Sequence, residues 1–278
     1  MSGVATPLPA PPRPARARGG RDVAARVAGP AIVMAVVLGV WELYARLGPV
    51  DDFILPAPTE IARALWRDRG LLFDNLLVTA QEVGLGILVA LVLGFGLAVA
   101  LHFSATLRRG TYPLLVASQA VPIVIIAPLL VVWFGFGILP KLVIIALVCF
   151  FPIVVTTLDA LGSVDPDQLK LLRTLDASRW QALRLAELPA AVPAALSGAR
   201  IALAVGVIGA FIAEIATPST GAYPGLGRQI MSDINFQTPR AYAGTAILFA
   251  FAVACFYALA LAERTLAPWR TRPRGETS

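Results

Sequence analysis

The sequence predicts an all-α membrane protein with about six transmembrane helices, both termini cytoplasmic, and a short helix in one long cytoplasmic loop. Three observations carry that prediction. The 278 residues are 58% hydrophobic and only 14% charged, against about 25% charged in soluble domains. Six stretches approach the roughly 20 apolar residues that a membrane helix needs. Finally, the basic residues are distributed unevenly between the segments that separate those stretches.

Taken in order, residues 1–27 are rich in Pro, Ala and Arg and are predicted to form a disordered basic cytoplasmic arm. The transmembrane domain then spans 28–264. Its first span is Gly29–Leu47, which ends in Trp41, Glu42, Tyr44 and Arg46 rather than in a small-x-small cleavage site, and this favours an uncleaved helix over a signal peptide. In the outside segment Gly48–Asn75, Pro58-Thr59-Glu60 reads as a helix start with Thr59 as N-cap. Ile61, Leu65 and Trp66 would then face the membrane surface.

The next spans are Leu76–Leu101, Tyr112–Phe134 and Leu139–Leu158. Their Gly and Pro interruptions are compatible with membrane helices, because neighbouring groups re-satisfy the freed backbone. The longest inside segment, Asp159 to about Ala195, opens with Asp165-Pro166-Asp167-Gln168. Asp165 suits the N-cap and Pro166 the first helical position. Leu169, Leu172 and Leu175 recur at a spacing that gives a short apolar stripe. A second short helix is expected from near Ser178, stopping before Pro189. This segment is either a docking element for a partner or a connector lying on the membrane surface. Leu196–Thr217 and Ala241–Leu261 complete the spans, and 265–278 form a cytoplasmic tail.

With both termini inside, 16 of the 23 Lys and Arg residues fall on the inner side, which fixes the orientation. These residues are membrane-orienting flanks. No basic patch interleaved with aromatics exists, so nucleic acid is not expected as a partner, whereas membrane lipid is.

The absences are informative. Cys149 and Cys255 lie in apolar runs and His102 is the single histidine, so no disulfide framework or multi-histidine metal site is available. Both lysines, Lys141 and Lys170, precede leucine, which excludes a G-x-x-x-x-G-K-[ST] phosphate loop. No G-x-S-x-G, H-E-x-x-H or CxxC motif is present. The chain is expected to bind no cofactor, to catalyse no reaction, and to leave any ATP hydrolysis to another polypeptide.

Arg173-Thr174-Leu175-Asp176-Ala177-Ser178-Arg179-Trp180-Gln181, followed by Leu188-Pro189, resembles the EAA-type cytoplasmic loop of ABC importer permeases. Lys170, Leu171 and Leu172 stand where that loop has Glu-Ala-Ala, and Asp176 stands where it has glycine. Three further stretches are similar to the nitrate/sulfonate/taurine branch: Phe53–Ile61, Pro122–Gly137 with Pro140-Lys141, and Ile212–Ile215 with Gly225–Gly227. Cys149–Thr157 also resembles permeases for thiamine-pyrimidine or riboflavin compounds.

The resemblance implies a permease subunit of an ATP-driven importer in a bacterial plasma membrane. It implies a second permease copy (a homodimer), a cytoplasmic ABC ATPase dimer holding ATP and Mg, and an extracytoplasmic substrate-binding protein. The solute would be a small polar compound or anion. The coupling loop would comprise Leu172, Leu175, Asp176, Ala177, Ser178, Arg179, Arg184, Leu188 and Pro189. Residues 175–179 would make the closest ATPase contacts, and Leu188-Pro189 would shape the return to the membrane. A φ above zero at Asp176 would preserve the turn that glycine allows. Its carboxylate would pair with a basic residue of the ATPase or cap the second helix.

Carboxylates inside spans usually face a cavity or a partner. Glu214 is assigned a structural or gating role, with direct substrate contact in the pathway as the alternative. Glu82, beside Gln81, is left to the pathway or the interface. Ser118, Gln119, Pro122 and Pro128 are expected to line the pathway, with Trp133 and Phe134 packing at the interface. The alternative is a stand-alone proton-coupled carrier titrating Glu82 or Glu214.

Overall fold

The computed structural model describes residues 20–51, 53–218 and 221–266, with the backbone alone for 20–27 and Arg264. Among the described residues every regular element is helical. The chain divides into two units, 1–58 and 59–278.

The first unit is α1 (Gly20–Leu47), which carries Pro30 inside it. Its first eight residues, 20–27, belong to the predicted arm. Residues 1–19 of that arm lie outside the described residues. Ile32, Val33, Met34, Val36 and Val40 are more than half exposed, as suits a lipid-facing helix. Glu42 and Arg46 pair one turn apart at 2.5 Å.

From Thr59 onward the short α2 (Pro58–Arg67) belongs to the second unit. Thr59 is its second residue rather than its N-cap, because Pro58, which needs no N–H partner, already occupies the first helical position. Ala64 is buried, and Ile61 packs against Leu72, Leu226, Ile230 and Ala241. Of the three residues assigned to the membrane surface, only Leu65 and Trp66 stay exposed.

Next comes α3 (Arg69–Phe103), 35 residues long, about 52 Å at the helical rise. The predicted third span is not one straight helix. It is α4 (Ala105–Ser118) and α5 (Ile123–Phe134), bent by 102°. Pro122 is extended, with φ −63° and ψ 120°. It has no N–H to continue the ladder, and it biases Val121 away from the helical region. The described residues therefore hold five helices long and apolar enough to cross a membrane, or six if the bent pair counts as one.

Gly135 and Gly137, at φ 75° and 127°, turn the chain into α6 (Ile138–Gly162). Then follow α7 (Pro166–Thr174) and α8 (Arg179–Ala182). A π-turn over Leu183–Glu187 leads into α9 (Leu188–Ala216). The last elements are α10 (Leu226–Asp233) and α11 (Thr238–Leu266). α11 carries helix into the predicted tail, whose residues 267–278 lie outside the described residues.

The core is the three-helix contact of α3, α6 and α9. Val83, Ile87 and Ala90 meet Ile145, Cys149 and Ile153, and these meet Ala199, Ala202, Leu203, Val207 and Ala210. Small residues bring the backbones close, as membrane helices require where lipid removes the hydrophobic drive for association. A Cβ on Gly206 would stand 2.8 Å from Cys149 Sγ, and one on Gly209 would stand 2.7 Å from the Val148 side chain. α11 is pinned to α9 by Ser197, whose hydroxyl donates to Glu263 Oε1 at 2.7 Å. Arg200, 3.4 Å from the other carboxylate oxygen, adds to that tie.

Candidate functional site

The segment from Leu172 to Pro189 is one continuous construction. Asp165 caps α7 by accepting from the Asp167 N–H at 2.9 Å, with Pro166 next in the chain. The far end closes as a Schellman motif: the Ala177 N–H reaches the Leu172 carbonyl and the Asp176 N–H reaches that of Arg173, both at 3.0 Å. Such a closure needs a left-handed residue. Asp176 supplies it, at φ 54°, the one non-glycine with positive φ among the described residues. Its short polar side chain tolerates this region better than most.

Two residues later Ser178 starts α8 with a capping box. Its hydroxyl accepts from the Gln181 N–H at 3.3 Å, and its own N–H donates to Gln181 Oε1 at 2.7 Å. This leaves Ser178, not Asp176, as the cap of the second helix. That helix does not stop before Pro189. The Leu188 N–H bonds back five residues to Leu183, so the turn widens ahead of Pro189 and relieves the clash of its ring with the preceding turn. α8, the π-turn and α9 thus form one rod through Pro189.

The rod is fastened to the end of α3. The Arg179 guanidinium donates to the carbonyls of His102, at 3.3 Å, and Phe103, at 3.0 Å, and lies 5.1 Å from the Phe103 ring centroid. A cation on a helix C-terminus satisfies orphan carbonyls and complements the dipole. Trp180 stacks on the same ring. His102 Nε2 is 3.1 Å from Glu187 Oε2. Leu183 is wholly buried against Leu101, Leu158 and Leu161, and Leu188 packs at the edge of that cluster. Leu175, Asp176 and Arg184 stay exposed, Leu172 is half-buried, and Leu171 and Trp180 also present apolar surface.

At the other end of α3, Glu214 is completely buried. Thr79 Oγ1 donates to its Oε1 at 2.6 Å, and the Gly227 N–H donates to its Oε2 at 2.5 Å. The Leu226 N–H reaches Thr79 Oγ1 at 2.9 Å, and the Gly225 N–H reaches Asn75 Oδ1 at 3.0 Å. Gly225, at φ 96°, has the Glu214 carboxylate where a Cβ would stand. Arg228 extends its guanidinium to the last carbonyls of α9, the nearest being Ile215 at 3.2 Å. Glu214 therefore ties α3, α9 and the start of α10 together.

Beside it lies a buried ion pair, Lys141 Nζ to Glu82 Oε1 at 2.6 Å. Lys141 is buried, despite standing in the first turn of α6. Tyr223, outside the spans, has its phenol held above the usual tyrosine range by a hydrogen bond to Asp74.

Asn75 and Thr79 escaped the sequence reading. They stand at i and i+4, with Glu82 three residues further, so one helical face carries all three; that spacing was the available signal. Ser118, Gln119, Pro122 and Pro128 do not join Glu214. The first three form the exposed bend between α4 and α5, and Pro128 lies on the exposed side of α5. α5 instead buries Ala127 and Leu130 against Ile144 and Ala213, leaving Trp133 largely exposed. Among the described residues no cluster of three or more metal-ligating side chains occurs.

Comparison with known proteins agrees with this architecture. The family described as binding-protein-dependent transport system inner membrane component matches residues 86–266. The formylaminopyrimidine transport permease protein ThiX of Halalkalibacterium halodurans is 33% identical over 87% of this chain and 96% of its own length. The taurine transport system permease protein TauC of Escherichia coli is 30% identical over 85% of this chain and 87% of its own. The inward-facing MetNI methionine ABC transporter shares the fold, with TM-score 0.61 at 20% identity over 74% of this chain and 99% of that one. The chain belongs to the inner membrane components of binding-protein-dependent transport systems, as an ABC transporter permease.

Proposed function

We propose that this chain is the membrane-spanning subunit of an ATP-driven importer in a bacterial inner membrane, with both termini in the cytoplasm. It moves a small polar solute or anion inward, of the sulfonate, taurine or nitrate type or of the thiamine-pyrimidine or riboflavin type. Two copies form the pathway, a separate ABC ATPase dimer binds ATP and Mg, and an extracytoplasmic binding protein delivers the solute. The chain itself carries no catalytic group.

The observation that carries this reading is the capped, exposed α7–α8 segment. Leu171, Leu175 and Trp180 offer apolar surface for a partner, while Arg179 and Glu187 join the same segment to the end of α3. A movement imposed at the exposed corner reaches α3 and α9 together, the kind of two-state element that coupling between sites requires.

The test is uptake of labelled taurine, an alkanesulfonate, nitrate and an aminopyrimidine in the native host and in a strain lacking this gene. Cells would hold ATP by fermentation while an ionophore collapses the proton gradient. The reading expects gene-dependent uptake of one solute that survives the ionophore and stops on ATP depletion. Uptake that collapses with the gradient while ATP persists contradicts it.

A further inference from the structure

Between α2, the start of α3 and α11 lies an open groove of about 380 Å³. Leu65 and Trp66 of α2, Phe73 and Leu76 of α3 and Ile247 of α11 line it, and Arg69 stands at its head. Arg69, Phe73 and Leu76 share one face of α3, at i, i+4 and i+7. At the helical rise the leucine lies about 10 Å further along the span than the arginine. The groove therefore has a cationic end, beside the helix start, and an apolar floor that runs into the span. Trp66 and Phe73 are 73% and 56% exposed.

Arg69 is the charge that the fold leaves unmatched here. Arg67 pairs with Asp68, Arg240 with Asp233 and Lys141 with Glu82. Among the described residues Arg69 meets no carboxylate. Its guanidinium lies 4.8 Å from the Trp66 ring centroid, and Nη1 donates to the Trp66 carbonyl at 2.9 Å. These contacts hold it at the head of the groove and spend one of its five N–H groups. The rest of the fork matches the geometry of a phosphate. A small anion would satisfy the arginine and leave the apolar floor bare. A bare hydrocarbon would do the reverse. The molecule that satisfies both is an amphiphile with a phosphate head and an aliphatic tail.

We propose that this groove is a binding site for an anionic glycerophospholipid, with the Arg69 guanidinium on the headgroup phosphate and an acyl chain along Phe73, Leu76 and Ile247. Trp66 beside Arg69 marks the headgroup level, the depth that tryptophan favours in membrane proteins. Residues 60–69 hold three arginines against Glu60 and Asp68, an excess of positive charge that selects a net negative head over a zwitterionic one. A lipid seated there touches α2, α3 and α11 at once. It braces the layer in which Ile61 and Ala64 of α2 pack with Leu226 and Ile230 of α10. This goes beyond the importer reading and needs from it only that the chain lies in a membrane.

The experiment is tryptophan quenching in the full chain, with whatever subunits co-purify, in phosphatidylcholine nanodiscs. The probes are phosphatidylglycerol and phosphatidylcholine with brominated acyl chains, titrated at matched mole fractions. The Trp66 signal is the difference between the parent and Trp66→Phe. Phosphatidylglycerol is expected to quench it at a mole fraction about fivefold lower, the factor one basic residue supplies against an anionic headgroup. Arg69→Gln is expected to remove that preference. Arg63→Gln, which removes an equal charge from the cavity on the other side of α2, is expected to keep it. Inorganic phosphate at millimolar concentration is expected to change nothing. Both arginines are exposed, so both variants should unfold at the parent's midpoint, which thermal unfolding checks. Equal quenching by the two lipids in the parent overturns the proposal. Equal loss in Arg69→Gln and Arg63→Gln also overturns it, because it marks a diffuse surface field. Displacement by inorganic phosphate would make this a free-anion site, and a Trp66 signal that neither brominated lipid reaches would mean that a second copy covers the face; each result overturns the lipid site.

Discussion

The Arg179 guanidinium donates to the Phe103 carbonyl at 3.0 Å across 76 positions of sequence, and so ties the exposed loop to the end of the longest helix. Arg179→Ala removes a charged donor from orphan carbonyls at an exposed helix end, a cost of about 1 kcal/mol. That loss is too small to unfold the chain. It is expected to let ATP hydrolysis run in the purified complex while solute uptake falls, a ratio that paired hydrolysis and uptake assays in proteoliposomes measure. Uptake and hydrolysis that fall in parallel, or not at all, would show that the tie transmits nothing.

Asp176 is expected to act through its backbone. Glycine adopts its φ of 54° freely and β-branched residues do so poorly. Asp176→Gly should therefore preserve ATPase recovery and uptake. Asp176→Val should open the Schellman closure at a cost of about 1–3 kcal/mol and reduce both. If Asp176→Gly instead abolishes ATPase recovery, the carboxylate itself makes a contact with the partner.

Gly225→Ala places a Cβ on the Glu214 carboxylate at a backbone φ of 96°. Steric overlap with a buried group adds to backbone strain, so a loss above about 3 kcal/mol is expected. Thermal unfolding in detergent reads it as a large drop in midpoint. Glu214→Gln keeps the shape and one acceptor oxygen but loses the other, and its midpoint should fall less.

Breaking the Glu82–Lys141 pair on one side is expected to cost about 3–5 kcal/mol, whereas neutralising both partners is close to neutral. Lys141→Met should thus lower the unfolding midpoint sharply, and adding Glu82→Gln should restore most of it. Additive losses in the double variant would mean that the two side chains do not act as a pair.

Tyr223 should release its proton only above the ordinary tyrosine range, because Asp74 stabilises the neutral phenol. A raised value in the folded chain favours the folded state below the unfolded tyrosine pKa, and that contribution disappears as pH climbs through the folded one. Ultraviolet titration compared between the parent and Asp74→Asn should show a tyrosine that ionises earlier in the variant; identical curves would show that Asp74 does not hold the phenol.

Much of this was legible in the residues. The apolar stretches lie in helices, Asp165 caps α7 as its place before Pro166 predicted, α8 begins beside Ser178 as expected, and Asp176 carries the positive φ that keeps the turn. What escaped shares one cause. Pro122 breaks a span and Pro189 does not, because the outcome depends on whether the preceding turn can widen, which Leu183–Glu187 does. Lys141 and Glu82 are 59 positions apart, and Asn75 meets Gly225 across 150. Such pairings come from the packing of α3, α6 and α9, which local periodicity does not encode. Ser118 and Gln119 were legible as polar residues in an apolar stretch, but the bend at Pro122 that exposes them was not.

The central claim is that the segment from Leu172 to Pro189 seats a separate ATPase. Affinity purification of the tagged chain from native membranes in mild detergent tests it most directly, with the parent beside a variant carrying Leu175→Asp and Asp176→Val. Recovery of a phosphate-loop ATPase with the parent and its loss from the folded variant is the predicted result. Recovery of the intact chain alone, under conditions that keep known transporter complexes together, contradicts the claim and shifts weight to a carrier driven through Glu82 or Glu214.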